Sequence, residues 1–193
     1  MNAPFLIGEK IYLRALCQQD LEDDYIAWLN DADVCRFNSH HVFPYGKKAA
    51  QSFLDMVTDN PAFLVCAIVR KDNDKHIGNI ALQNINYISR NAEYAIILGD
   101  KNSWGQGYAK EASIMLLKHG FLELNLHRVH CGTSVRNIAM QKLAHYMVMK
   151  EEGLRRQALF KHGEFVDILE YGLLREEFLA KFNQPAVQSA TVF

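Results

Sequence analysis

The chain of 193 residues predicts a mixed α/β (α+β) fold: one mostly antiparallel central sheet of about seven strands, with helices on both faces. Two observations predict it. Strand-like runs at residues 63–70, 76–85 and 92–98 follow one another through short turns, which makes them antiparallel neighbours. The next run, 126–134, is reached only through a helical stretch, and a strand–helix–strand unit is a parallel crossover. Along the chain the order reads β, α, α, β, β, β, α, β, α, β, β.

Each element has its own warrant. Residues 11–16 alternate in type and open the sheet. Asp20 is placed to N-cap a helix whose apolar residues Leu21, Tyr25, Trp28 and Leu29 fall at i, i+4, i+7 and i+8. Ala49, Phe53, Met56 and Val57 repeat that spacing in a second helix, which Asn60 and Pro61 end. The charged turn at 71–75 joins two strands as a hairpin, and 87–91 turns the chain into the next. A central helix over 110–124 follows, with Tyr108, Ala112, Met115, Leu116 and His119 on one face. In the run 126–134, Val129 and Cys131 share a face. Asn137 opens another helix, to about Val148, and 151–160 with 165–174 form a closing hairpin around His162 and Gly163. Residues 184–193 carry no charge and include Pro185, so they read as a loose tail to a single domain, 1–183. No internal repeat or low-complexity linker interrupts that domain.

Composition excludes several classes. With 49% hydrophobic and 22% charged residues the chain is neither disordered nor membranous. A formal net charge of −1 argues against a duplex nucleic-acid binder working by bulk charge. The longest apolar run, 62–69, is too short to span a bilayer, and no signal-peptide pattern opens the chain. Cys17, Cys35, Cys66 and Cys131 form no CxxC pair and read as reduced thiols of a cytoplasmic protein. His127 and His130 are three apart on a strand and face opposite sides, so no metal site is expected.

The stretch Trp104, Gly105, Gln106, Gly107, Tyr108, Ala109, Lys110, Glu111, Ala112 joins the strand 92–98 to the central helix. Two glycines at such a junction let backbone approach a ligand closely. The first helical turn then presents unpaired N–H groups and the positive end of the dipole, which together make an anion site. A Walker loop would need Lys after the second glycine, but Tyr108 stands there. A dinucleotide fingerprint would need a small residue at Lys110 and an acid some twenty residues on, and neither is present. Taken alone, the glycine pair also reads as a tight turn with no ligand.

The wider pattern resembles the GNAT acyltransferase superfamily. Asn102, Ser103, Trp104, Gly105, Gln106 and Gly107 follow its [Q/R]-x-x-G-x-[G/A] loop after the fourth strand, with Asn102 departing from the usual Gln or Arg. The string from Trp104 to Ala112, then residues 121–129, Asn137 with Ile138, Leu143 with Ala144, Glu152 to Arg155 and Gly163 to Asp167 is similar to the RimJ/RimL-type (ribosomal-protein alanine) N-acetyltransferase subgroup, as are residues 13–16 and 20–21. The resemblance covers about residues 7–177. It implies a GNAT-like fold whose fourth and fifth strands splay apart, and acyl transfer from acetyl-CoA to an amine, without a metal. The pyrophosphate would then rest on N–H groups of Gly105, Gln106, Gly107, Tyr108, Ala109 and Lys110, with Trp104 at the loop's entry. The pantetheine arm would pair with the backbone of Ile96, Ile97 and Leu98 in the manner of an added strand. Asn137 would hydrogen-bond the arm; it also reads as a plain helix N-cap, and the two roles are compatible.

Amine acetylation needs a neutral amine, and an α-amine with pKa near 8 is about one-tenth neutral at pH 7, a lysine-like amine only about one part in a few thousand. A base therefore helps. Glu93, at the start of its strand and pointing as Ala95 and Ile97 do, is the first candidate, with the reading of a surface glutamate beside it. Asp100 is the alternative, near where the RimL-like enzymes carry an acid. The proton donor for the thiolate is not evident. The family's usual Tyr falls at Ala144, and the subgroup's usual Ser at Met140. Tyr146 is the nearby hydroxyl on that helix, yet nine residues from Asn137 is about 180° around it. A thiol pKa of about 8.5 lets solvent supply that proton. The family's usual Gly-Phe at the helix end is replaced by Val148 and Met149.

The acceptor classes, in order, are a protein or peptide α-amine, an amino sugar, and a polyamine. A polyamine would need acids around the acceptor, and Asp23, Asp24, Asp31 and Asp33 cluster near the first helix, where a solvated helix face is the plainer reading. Tyr45, His40 and His41 lie in the connection that, by the resemblance, lines the acceptor side, where a solvated loop is the plainer reading. A coenzyme-A-binding sensor without catalysis is the competing class. The pattern is compatible with a monomer or a homodimer.

Overall fold

A computed structural model describes residues 3–22 and 24–182. The anticipated tail, 184–193, lies outside the described residues, as does Asp23. Eight strands form one sheet: β1 (Leu6–Ile7), β2 (Ile11–Ala15), β3 (Leu64–Arg70), β4 (His76–Asn86), β5 (Asn91–Leu98), β6 (Arg128–Ser134), β7 (Lys150–Lys161) and β8 (Glu164–Leu174). Their order across the sheet is β1-β2-β3-β4-β5-β6-β8-β7. Every pairing is antiparallel except β5 with β6. The expected seven strands are present, and the two-residue β1, too short to carry an alternation, adds the eighth.

Helices cover both faces. α1 (Tyr25–Leu29) and α2 (Lys47–Val57) lie on one, and α3 (Tyr108–Leu122), α4 (Ile138–Tyr146) and α5 (Arg175–Phe182) on the other. β3 shows how the sheet feeds two cores. Cys66 and Ile68 enter the larger, with Leu116, Leu117 and Phe121 of α3 and Phe178 of α5. Ala67 and Val69 enter the smaller, with Tyr25, Trp28, Leu29 and Leu54. α3 is buried more widely than its single stripe implied. Ser113, Leu117, Gly120 and Phe121 are buried beside Tyr108, Ala112 and Leu116, while Met115 and His119 sit at its flank.

Asp20 corrects the reading of the first helix. The chain makes a short 3-10 turn, Gln18–Leu21, and then the separate α1. The Asp20 carboxylate is occupied otherwise: Arg14 donates to it through two nitrogens at 2.7 and 2.6 Å, and the Cys17 N–H at 2.8 Å. The His76 Nδ1 lies 3.3 Å away. Burial alone would raise this carboxyl, but Arg14 and His76 outweigh it and hold Asp20 far below the usual carboxylate range. The network pins β2 and β4 beneath α1.

Among the described residues no helix is long and apolar enough to cross a membrane, and no three His, Cys, Asp or Glu side chains converge as a metal site.

Candidate active site

The site begins where the parallel pair fails. β5 and β6 register only at Asn91–Arg128, Ala92–Val129 and Glu93–His130. Beyond Glu93 they part, as the family resemblance implied. Residues 94–98 of β5 keep β4 on one side and have no strand partner on the other among the described residues. That leaves a backbone edge of the kind an extended ligand can join. The Trp104 indole N–H donates to the Leu98 carbonyl at 2.8 Å and closes the far end of this edge. At that end the Trp28 indole packs on the backbone of Gly99, where a Cβ would sit 1.8 Å from its ring.

The chain then enters the glycine junction. Gly105 and Gly107 have φ of 74° and 89°, the left-handed region that favours glycine. A Cβ at either would meet nothing within 4 Å, so both open onto free space. Glu111 is the first residue to bond in the helical manner, its N–H on the Gly107 carbonyl at 3.1 Å. Ahead of it, the N–H groups of residues 105–110 find no acceptor among the described residues. Gln106 braces the loop by donating to the Asn102 carbonyl at 2.5 Å. The Tyr108 side chain is buried in the core, so Tyr108 offers only its backbone. The Lys110 ammonium lies 4.7 Å from the centre of the Tyr146 ring. These features fit a pyrophosphate: open space, unpaired donors and the positive end of a 15-residue helix.

Asn137 caps α4, its side-chain oxygen accepting the Met140 N–H at 3.1 Å. Its amide nitrogen makes no hydrogen bond among the described residues. α4 ends in a paired turn, Val148 N–H on the His145 carbonyl and Met149 N–H on the Ala144 carbonyl, at 3.0 and 2.9 Å. Val148 holds φ 61° there, a position that glycine usually fills.

The three acid–base candidates separate. Tyr94, Ile96 and Leu98 face the core under α3, while Ile97 packs against the smaller core with α1 and α2. Alternation puts Glu93 and Ala95 on the Ile97 face. Glu93 is half-buried, and its carboxylate accepts from Asn84 at 3.0 Å, across a bulge in β4. Asp100 is 8% exposed, and its carboxylate is engaged by the Ser103 hydroxyl at 2.6 Å and the Lys75 ammonium at 3.4 Å. Burial would raise it, but these two partners prevail and hold it below the usual range. These bonds brace the turn leading to the glycine junction. The Tyr146 ring lies between the Lys110 and Lys181 ammoniums and beside Phe182, and makes no contact with Glu93 or Asn137 among those described. On the core face, Tyr94 shares a 2.6 Å hydrogen bond with Ser113, and burial pushes its phenol up.

Two features went unread in the sequence. The Trp104 indole is a polar stop at the end of the open edge. Lys161 is a lysine 8% exposed, whose ammonium donates to the His40 carbonyl at 2.5 Å. It ties the β7–β8 hairpin to the connection between α1 and α2.

Fold and site together define a coenzyme-A-dependent acyltransferase. A family model described as the acetyltransferase (GNAT) domain matches residues 10–149, and the chain belongs to that family. It is an N-acetyltransferase of the GNAT type that uses acetyl-CoA. The uncharacterized N-acetyltransferase p20 of Bacillus licheniformis is 32% identical over 176 residues, covering 90% of this chain and 97% of that protein. A spermidine N(1)-acetyltransferase of Vibrio cholerae is 31% identical over 103 residues, 53% of this chain and 59% of the relative. The crystal structure of spermidine N-acetyltransferase from Vibrio cholerae in complex with CoA and spermine superposes with a TM-score of 0.81. It covers 89% of this chain and 99% of that one at 24% identity, a likeness of fold.

Proposed function

We propose that residues 1–183 act as one catalytic domain that acetylates a primary amine by direct attack in a ternary complex, the acceptor being a protein or peptide N-terminal amine or an amino sugar. One observation carries this reading. The unpaired edge of β5 leads, through the turn at Asp100, into the unpaired N–H groups of residues 105–110. An extended arm ending in a pyrophosphate matches that sequence of donors and acceptors. The motif string around Trp104 supports a relationship to the RimJ/RimL-type subgroup.

In this mechanism the amine nitrogen attacks the thioester carbonyl carbon and the C–S bond breaks. Glu93 takes the proton that the amine gives up, directly or through water, from the face of β5 turned toward α1 and α2. The leaving thiolate is protonated by solvent: the Tyr94 hydroxyl is engaged with Ser113, and the Tyr146 ring packs against Lys110 and Lys181. Asn137 holds the arm with its amide nitrogen while its oxygen caps α4.

Thermal shift and thiol release test the reading together. CoA should raise the melting temperature more than ATP or NAD does, and Gly107→Val should abolish that shift by crowding the loop and straining its φ of 89°. Acetyl-CoA should release thiol against at least one member of an amine panel. A full CoA shift without turnover on any amine would make the chain a sensor and refute the enzyme mechanism.

A further inference from the structure

A cleft of about 220 Å³ opens between three segments of the chain. Arg36 comes from the connection between α1 and α2, Arg136 from the turn between β6 and α4, and Lys161 and His162 from the β7–β8 hairpin. Phe37 and Val166 supply apolar wall, and no Asp or Glu lines it. The cleft lies on the acceptor side. His130 pairs with Glu93, and Ser134, which also lines the cleft, is four residues further along β6 on the same face. At strand rise that is roughly 13 Å from the proposed base.

Lys161 is the decisive residue. It is more than nine-tenths buried, and one of its three N–H donors goes to the His40 carbonyl. The other two have no acceptor, and no carboxylate pairs with the ammonium, among the described residues. An ammonium with spare donors and no carboxylate partner, in a cleft that no acid lines, is complementary to an anion. On the rim, Arg36 donates to Asp33 and Arg136 to Glu164, and each guanidinium keeps further donors. Two of the acids near α1 that a polyamine could use, Asp31 and Asp33, are already paired with cations. Lys101 bridges Asp31 and Asp33 at 2.7 and 3.2 Å, and Arg36 also holds Asp33.

We infer that the acceptor carries an anionic group, a carboxylate or a phosphate remote from its amine, which this cleft receives on Lys161 with Arg136 and Arg36 at the rim. The inference rests on the amine-acetylation reading and narrows its acceptor to amines that are not polycations.

Steady-state acetylation with matched acceptors tests it. The set is glucosamine 6-phosphate against glucosamine, a short peptide with a free carboxylate against its amide, and spermidine. The anionic member of at least one pair should have the lower KM, by about tenfold or more, and the pair that responds identifies phosphate or carboxylate. Lys161→Met should erase that preference while leaving KM for the neutral partner and the CoA thermal shift unchanged. Arg136→Gln, at an exposed position, should reduce it by less. Spermidine as the best acceptor, or an equal rise in KM for charged and neutral partners in Lys161→Met, would overturn the inference. If no amine turns over, the acetyl-transfer reading fails separately, and the cleft is judged by binding. With CoA saturating, inorganic phosphate should stabilise the wild type and not Lys161→Met, and equal stabilisation of both would refute the site.

Discussion

Glu93 lies directly across from His130 at the last residue pair before β5 and β6 part. The two side chains share the face turned toward α1 and α2, and Asn84 fixes the carboxylate from β4 at 3.0 Å. In the proposed mechanism a base at this position would meet the amine as it reaches the thioester. Glu93→Gln keeps the size and the Asn84 contact but removes the base, and kcat/KM should fall by about 10²- to 10⁴-fold at pH 7. The deficit should shrink as pH rises toward the acceptor's own pKa, where the amine needs no help. A pH–rate profile of both proteins checks this. A deficit constant with pH would assign Glu93 a purely structural role.

The Arg14–Asp20–His76 network predicts a different pH dependence, this time in stability. Asp20 has a folded pKa depressed below its unfolded value of about 4. Its contribution is therefore complete above that value and is lost as pH falls through the folded pKa. Asp20→Asn leaves the Arg14 guanidinium, 12% exposed, without its counter-charge, and should cost about 3–5 kcal/mol at pH 7. Denaturant unfolding at pH 7 and at pH 3 should show the gap between wild type and variant narrowing in acid. A gap that stays constant or widens would refute the assignment.

Val148 provides a test of backbone strain. A β-branched residue at φ 61° carries a conformational cost of about 1–2 kcal/mol, which glycine does not. Val148→Ala and Val148→Gly lose similar packing, and only glycine relieves the backbone. Val148→Gly should therefore be the more stable of the two by about 1 kcal/mol, the reverse of the order in a helix interior. Thermal denaturation of the pair measures it.

Local signals made the fold readable. Glycines 105 and 107 announce a junction because few other residues tolerate φ above 70°, and the hairpins announce themselves through turn residues. Asn137 was legible as a cap because Ser, Thr, Asp and Asn before an apolar period mean one thing in most contexts. Asp20 carried the same signal and meant another, because its partners Arg14 and His76 become neighbours only when β2 and β4 pair with β3. Lys161 is the extreme case. A lysine beside His162 and Gly163 reads as a solvated turn, and its burial depends on His40, 121 residues away. α5 was missed because Phe178 alone of its residues is fully buried, so its period is faint.

Among the described residues the strand ladder between β1–β5 and β6–β8 is three residue pairs long, with α3 connecting β5 to β6. The two halves are held together by the core they share under α3 more than by this ladder. On the proposed binding mode, a coenzyme laid along the opening would bridge the two halves, touching the β5 edge on one side and Asn137 on the other.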